Sequence, residues 1–143
     1  MDLMSRDKDG KGGVIVNISS IAGLEPMPFW VTYSAAKFGI VGFTRSLGQE
    51  MIYNKTGVKL MTICPGATET AIYNTAGTSI LTFPWMFSYG DQLCKVFKTQ
   101  KPEAVGKAVA KIITDGDNGS VWIASEDQII PVTFQPNKFL AKM

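Results

Sequence analysis

The sequence has 143 residues, the size of one ordinary domain, and its 45% hydrophobic content is enough for a substantial core. It carries 14 basic and 12 acidic residues, a net charge of +2, without the basic and aromatic clusters that nucleic-acid binding requires. Because it contains no histidine and only two cysteines, neither a zinc centre nor a Ser-His-Asp triad can be built from it. We therefore predict no metal site and no nucleic-acid partner.

The N-terminal residues do not predict secretion or membrane insertion. Residues 1–13 are polar and glycine-rich, and no run of eighteen uncharged apolar residues occurs anywhere in the sequence. Cys64 and Cys94 are expected to be buried, reduced thiols rather than a disulfide. We predict a cytoplasmic protein that does not enter membranes.

The first predicted element is a buried strand. Residues 14–19, VIVNIS, form the nearly continuous apolar run of a parallel strand covered on both faces. After a loop marked by Gly23 and two prolines, the pattern predicts a helix from residue 32 to about residue 54. Four apolar side chains at helical spacing are expected to face the sheet: Ile40, Phe43, Leu47 and Met51. Phe38 and Val41 are expected on a different side.

The second half of the sequence continues the alternation of strands and helices. Strands are predicted at residues 58–64 and 120–125, and between them Pro102 opens an amphipathic helix. Residues 71–100 are rich in aromatic side chains without a single period, and the tail from residue 126 to 143 is too irregular to assign. The order of elements predicts an α/β fold with parallel strands joined by right-handed crossovers.

Three polar side chains are candidates for chemistry. Tyr33 and Lys37 are four residues apart, so a helix places them on one face, where the ammonium favours the phenolate form of the tyrosine. Ser20 ends the first strand, at the carboxyl edge where open α/β sheets bind ligands. A Tyr-x-x-x-Lys pair also arises by chance, so the pair alone is weak evidence for an active site.

The surroundings of this pair carry a family resemblance. The runs IVNISSIAG, YSAAK, GIVGFTRSL and ICPGATETAI resemble the short-chain dehydrogenase/reductase family over residues 11 to about 75. Within that family the sequence looks most like the NAD-dependent 15-hydroxyprostaglandin dehydrogenases and the insect alcohol dehydrogenases. The resemblance implies the C-terminal part of a Rossmann-like, doubly wound parallel sheet, as a single partial domain over residues 1–143.

The resemblance also implies a reaction and roles for individual residues. In the implied reaction, NAD oxidises a lipophilic secondary alcohol, and Tyr33 is the general base. Lys37 favours the phenolate form of Tyr33 and binds the nicotinamide ribose. Ser20 forms a hydrogen bond with the substrate oxygen. The residues implied in cofactor binding are Tyr33, Lys37, Pro65, Gly66, Thr68 and Thr70. Trp30 stands where the prostaglandin enzymes carry a substrate-contacting glutamine, so we expect Trp30 to contact the substrate and doubt that prostaglandin is that substrate.

Two hypotheses about the whole chain stay open. The sequence has no glycine-rich turn between a strand and a helix, so the nucleotide-binding half of the fold and the family's catalytic asparagine are expected upstream of residue 1. The chain is then either the catalytic part of an enzyme or a shortened, non-catalytic form that binds a partner or a second copy through the helix of residues 32–54. Residues 71–100 likewise either pack short helices onto the body or form a lid over the substrate, as in the family.

Overall fold

A single mixed sheet forms the centre of the protein. The computed structural model describes residues 1, 3–73, 83–86, 89, 92 and 96–135. Its strands, in their order in the sheet, are β1 (Gly13–Ile18), β2 (Val58–Pro65), β3 (Val121–Ser125) and β4 (Gln128–Pro131). β1 pairs with β2 and β2 with β3 in parallel, and β4 adds antiparallel to β3. The predicted α/β fold with three parallel strands is confirmed.

The fourth strand lies in the tail that the sequence pattern leaves unassigned. It follows β3 through a two-residue turn, Glu126 and Asp127, whose φ angles are 50° and 61°. Two positive φ angles are typical of the type I′ turn, which matches the twist of a hairpin. Because neither turn residue is glycine or asparagine, the sequence lacks the usual signal for this hairpin.

Helices cover both faces of the sheet. Among the described residues the α-helices are α1 (Val31–Leu47), α2 (Glu50–Thr56) and α3 (Pro102–Asp115). On one face, α3 buries Ala108 and Ile112 against Met61 and Ile63 of β2. On the other face, Val41 of α1 packs with side chains that include Cys64 of β2 and Val121 of β3. Successive side chains of a strand point to opposite faces, so β2 contributes to both clusters and is buried along most of its length.

The prediction of one continuous helix over residues 32–54 is wrong, because the helix ends at Leu47 and a second helix begins at Glu50. A Cβ atom on Gly48 would lie 2.3 Å from the Cα atom of Gly119. Asn118 Nδ2 donates to the Gly48 carbonyl oxygen at 2.8 Å, and Asn118 Oδ1 accepts from the Leu60 backbone at 2.9 Å. The carbonyl of Gly48 is thus bound from a distant loop, and a separate helix, α2, begins at Glu50.

The predicted sheet-facing side of α1 is also wrong. Phe43 is 57% exposed and Met51 is 79% exposed, whereas the buried positions of α1 are Ser34, Val41 and Thr44. Thr44 Oγ1 accepts from Asn17 Nδ2 at 2.8 Å and lies 2.6 Å from Thr62 Oγ1. Because the sheet presents polar groups to this helix, apolar periodicity does not mark the contact face.

Some predictions concern residues that the structure does not describe. Most of the predicted lid, Cys94, and the tail beyond residue 135 lie outside the described residues. Within the described ranges, no helix combines the length and the apolar character needed to cross a membrane.

Candidate active site

A cavity of about 410 Å³ lies at the carboxyl ends of β1 and β2. The turn after β1, the first half of α1, the turn after β2 and the start of α3 contribute to its wall. It is lined by every residue that the sequence predicts for the site: Ser20, Trp30, Tyr33, Lys37, Pro65, Gly66, Thr68 and Thr70. Five further apolar residues of the wall are Met27, Ile72, Phe97, Val105 and Val109. The cavity therefore combines a few polar groups with a largely apolar surface.

The turn that carries Ser20 is held against α1 by two close contacts. Ser20 caps a short 3-10 helix, and its Oγ accepts from the Ala22 backbone at 3.2 Å. Ser19 Oγ donates to the carbonyl oxygen of Lys37 at 2.9 Å. A Cβ atom on Gly23 would lie only 2.7 Å from the same oxygen, so only glycine fits there without displacement. Ser19 and Gly23 therefore position Ser20, and sequence patterns give no signal for this role.

Tyr33 and Lys37 lie one turn apart on α1, as their four-residue spacing predicts. Lys37 Nζ is 5.5 Å from the centroid of the Tyr33 ring. The same ammonium donates to the carbonyl oxygen of Ile18, at the end of β1, at 3.2 Å. The strand thus holds the cation beside the phenol, and both side chains line the cavity with Ser20.

The turn after β2 is tied to the end of β3. The Gly66 backbone donates to the Ala124 carbonyl oxygen at 2.9 Å. Thr68 Oγ1 donates to the Gly66 carbonyl oxygen at 2.9 Å, and Thr70 Oγ1 donates to that of Thr68 at 3.3 Å. A Cβ atom on Gly66 would lie 2.2 Å from Ser125 Oγ and 2.9 Å from Ser125 Cβ, so a larger residue in this turn would have to displace the Ser125 side chain.

Comparison with known proteins identifies the family. A model of the short chain dehydrogenase family matches residues 1–80. The chain belongs to the short-chain dehydrogenase family. The family predicted from the sequence motifs is therefore confirmed. Its members use NAD or NADP as the hydride carrier.

Curated relatives of the chain include insect alcohol dehydrogenases. Alcohol dehydrogenase 2 of Ceratitis capitata is 43% identical over 133 residues, which are 93% of this chain and 51% of that protein. Alcohol dehydrogenase 1 of the same species is 45% identical over 132 residues, 92% of this chain and 51% of that protein. The chain therefore spans about half the length of these relatives. They agree with the insect part of the predicted resemblance and give no support to its prostaglandin part.

Solved structures share the fold at lower identity. A 4-hydroxyisoleucine dehydrogenase complexed with NADH is 22% identical with a TM-score of 0.52, covering 78% of this chain and 44% of that one. An acetoin dehydrogenase from Salmonella typhimurium is 23% identical with a TM-score of 0.57, covering 83% of this chain and 44% of that one. At these identities the match supports the short-chain dehydrogenase fold alone.

Trp30 contributes a buried polar group without a partner to the described part of the candidate site. Its indole Nε1–H is buried and has no hydrogen-bond partner among the described residues. Its ring centroid lies 6.5 Å from that of Phe97, another residue of the cavity wall. A buried donor left without an acceptor costs about 1–3 kcal/mol.

An exposed ion pair joins the turn after β2 to the residues just before α3. Lys101 Nζ contacts the Glu69 carboxylate, and Thr99 Oγ1 donates to the same carboxylate at 3.2 Å. The hydrogen bond from Lys101 lowers the pKa of Glu69, and Glu69 raises the pKa of Lys101. Because solvent screens both groups, the pair contributes little to the stability of the fold.

Cys64 is buried at the end of β2, and we expect it to be unreactive. Burial raises the pKa of its thiol from 9.0 to about 11. The thiolate is the reactive form, so this change lowers the rate of disulfide exchange at pH 8 about a hundredfold. The measurement is labelling with an aromatic disulfide reagent in a Cys94→Ser chain, with the same chain unfolded in urea as control. Equal labelling rates in the folded and unfolded chains would contradict the prediction.

Proposed function

We propose that the chain is the catalytic and substrate-binding part of an NAD-dependent alcohol dehydrogenase that oxidises a lipophilic secondary alcohol. The observation that carries the proposal is that Ser20, Tyr33 and Lys37 line one cavity at the carboxyl edge of a parallel sheet. This edge is where open α/β sheets bind ligands. The insect alcohol dehydrogenases among the relatives support the same reaction class.

In the proposed reaction the chain handles the proton and the alcohol oxygen. Tyr33 takes the hydroxyl proton of the alcohol, and Ser20 donates a hydrogen bond to the same oxygen as the carbonyl double bond forms. Lys37 stabilises the negative charge of the Tyr33 phenolate. The hydrogen on the carbinol carbon leaves with its electron pair, and NAD supplies the acceptor for this hydride when it is bound.

The residues present fit one end of a dinucleotide. Lys37 and the hydroxyl groups of Thr68 and Thr70 border the cavity and are the groups proposed to hold the nicotinamide end, with Pro65 and Gly66 shaping the turn. In the described part of the chain, no glycine-rich turn joins a strand to a following helix, which is the unit that binds a pyrophosphate. We therefore propose that full nucleotide affinity requires a second half of the fold.

The wall of the cavity supports the proposed substrate class. Apolar side chains such as Met27, Val105 and Val109 suit an alkyl chain better than a sugar or a charged acid. Trp30 lies in the same wall, which supports a contact between Trp30 and the substrate. Secondary alcohols with an apolar chain are therefore the proposed substrates, and the cytoplasm remains the predicted location.

A second function is favoured by a separate observation. Large apolar side chains of α1 are exposed, with Val31 50% exposed, Phe38 42% and Phe43 57%. Such a surface is typical of an interaction site. The alternative is therefore a non-catalytic form that binds a partner or a second copy, through α1 and α2 rather than through one continuous helix of residues 32–54.

The deciding experiment measures NADH formation with a lipophilic secondary alcohol. We expect no measurable activity from the 143-residue chain, because each charge-assisted hydrogen bond missing at the pyrophosphate is worth about 1.5–3 kcal/mol. The loss of two such bonds weakens affinity more than a hundredfold. A chimera that joins an amino-terminal half from Ceratitis capitata alcohol dehydrogenase 2 to this chain should form NADH.

Three outcomes of this experiment separate the hypotheses. Activity in the chimera alone supports the enzyme hypothesis and the need for a second half. Activity in the bare chain would show that the second half is dispensable. A folded chimera that neither binds NAD in a fluorescence titration nor oxidises alcohols would leave the interaction function as the better account.

A further inference from the structure

Gln100 joins two parts of the chain that are distant in sequence. It lies just before α3, and its backbone forms an isolated parallel bridge with Thr68 in the turn after β2. The Gln100 N–H donates to the Ala67 carbonyl oxygen at 2.9 Å, and the Glu69 N–H donates to the Gln100 carbonyl oxygen at 2.9 Å. Two backbone hydrogen bonds therefore hold Gln100 beside the turn after β2.

The side chain of Gln100 adds a second connection, which is buried. The residue is 8% exposed. Its Nε2 donates to the Ala124 carbonyl oxygen at 2.7 Å and to Thr68 Oγ1 at 3.3 Å. The Ala124 oxygen also accepts from the Gly66 N–H. One amide group therefore links the end of β3 to the turn that borders the cavity.

These contacts also fix the direction of the Thr68 hydroxyl. A carbonyl oxygen accepts only, so the atom 2.7 Å from the Ala124 oxygen must be the amide nitrogen of Gln100. That nitrogen can only donate to Thr68 Oγ1, and Thr68 in turn donates its proton to the Gly66 carbonyl oxygen. A hydroxyl has one proton and two lone pairs. Thr68 is thereby left with one acceptor position for a ligand.

We propose that Gln100 is a positioning residue for the turn Gly66–Thr70, and that it makes the Thr68 hydroxyl an acceptor for a ligand N–H group. Under the proposed function, on which this part rests, the N–H group is the carboxamide of nicotinamide. Glutamine is suited to the position because a carboxylate in its place would oppose the Ala124 oxygen. A hydrocarbon side chain of the same length would donate to neither partner.

Hydrogen exchange of the 143-residue chain tests the positioning role without any ligand. Gln100→Met keeps the length of the side chain and removes its donor. We expect exchange to rise at least about tenfold at the amides of Gly66, Glu69 and Gln100, while the amides between β1 and β2 keep their rates. Gln128→Met on exposed β4 is the matched control and should change none of these amides. Unchanged exchange at the three amides in a folded Gln100→Met chain would overturn the proposal.

A second variant tests the proposal if the Gln100→Met chain does not fold. Gln100→Asn retains an amide but shortens its reach by one methylene group, so the same three amides should exchange faster. Protection equal to that of the unsubstituted chain would count against the proposal in this variant too.

Binding of reduced nicotinamide mononucleotide, followed by its fluorescence, tests the route through Thr68. We expect Gln100→Met to weaken binding about tenfold in the unsubstituted background and to have little further effect in a Thr68→Val background. An equal loss of affinity in both backgrounds would show that Gln100 does not act through Thr68, because a purely structural role does not depend on the Thr68 hydroxyl. If the 143-residue chain does not bind this probe, the same variants are compared in the chimera with a complete fold. A chimera that does not bind the probe would contradict the cofactor part of the proposed function, while the exchange result still decides the role of Gln100.

Discussion

Replacing Tyr33 by phenylalanine should lower alcohol-dependent NADH formation by about a thousandfold in the chimera with a complete fold. The phenol oxygen is the proposed proton acceptor, and general base catalysis contributes about 10²–10⁴-fold to a rate. The phenylalanine ring can still lie near Lys37, so the position of the ammonium and the affinity for NAD should change little. The loss should therefore appear in kcat rather than in the dissociation constant of NAD.

The matched control is Tyr53→Phe, because Tyr53 lies on α2 and does not line the cavity. This variant should keep turnover close to that of the parent chimera. Steady-state kinetics and an NADH titration on both variants complete the comparison. A Tyr33→Phe enzyme with undiminished kcat would remove Tyr33 from the role of base, whatever its place in the cavity.

Gly48→Ala should lower the free energy of unfolding by about 3 kcal/mol, which is a large share of the stability of one domain. The new methyl group would meet the backbone of Gly119, and a backbone contact at 2.3 Å cannot be relieved by turning a side chain. The φ angle of Gly48 is −79°, which alanine adopts without strain. The expected loss of stability is therefore due to steric overlap with Gly119 and to the loss of the Asn118 hydrogen bond.

Gly42→Ala, inside α1, supplies the matched control. A Cβ atom there meets no atom within 4 Å, and alanine favours a helix over glycine by about 1 kcal/mol. The two identical substitutions should therefore change stability in opposite directions, as measured by urea unfolding. A Gly48→Ala chain as stable as the parent would show that α1 and the loop at Gly119 can separate without cost.

Local patterns were sufficient to predict much of the sheet and to bring the candidate site residues to one edge of it. Strands predicted at residues 14–19, 58–64 and 120–125 lie at Gly13–Ile18, Val58–Pro65 and Val121–Ser125. Tyr33 and Lys37 meet because helical spacing alone brings them together. Ser20 joins them because a strand end in a parallel sheet lies at the ligand edge.

Contacts between distant residues account for what the patterns did not predict. The break after α1 depends on Gly119, 71 positions away in sequence from Gly48, and glycine is too common to indicate such a contact. The buried face of α1 is set by hydrogen bonds from Asn17 and Thr62 to Thr44. These bonds stabilise a threonine at a position where periodicity would favour an apolar residue. Gln100 has no local signal, since its partners lie near residues 67 and 124.

The position of β1 has a consequence for handling the protein. In the described part of the chain β1 has a strand neighbour on one side only, and Val14 and Ile18 beside its other edge are 39% and 48% exposed. A strand edge with free backbone groups and apolar neighbours is a template for pairing with another chain. A net charge of only +2 gives weak electrostatic repulsion between molecules. The apparent molar mass of the 143-residue chain in light scattering should therefore rise with concentration, and Val14→Lys should reduce that rise.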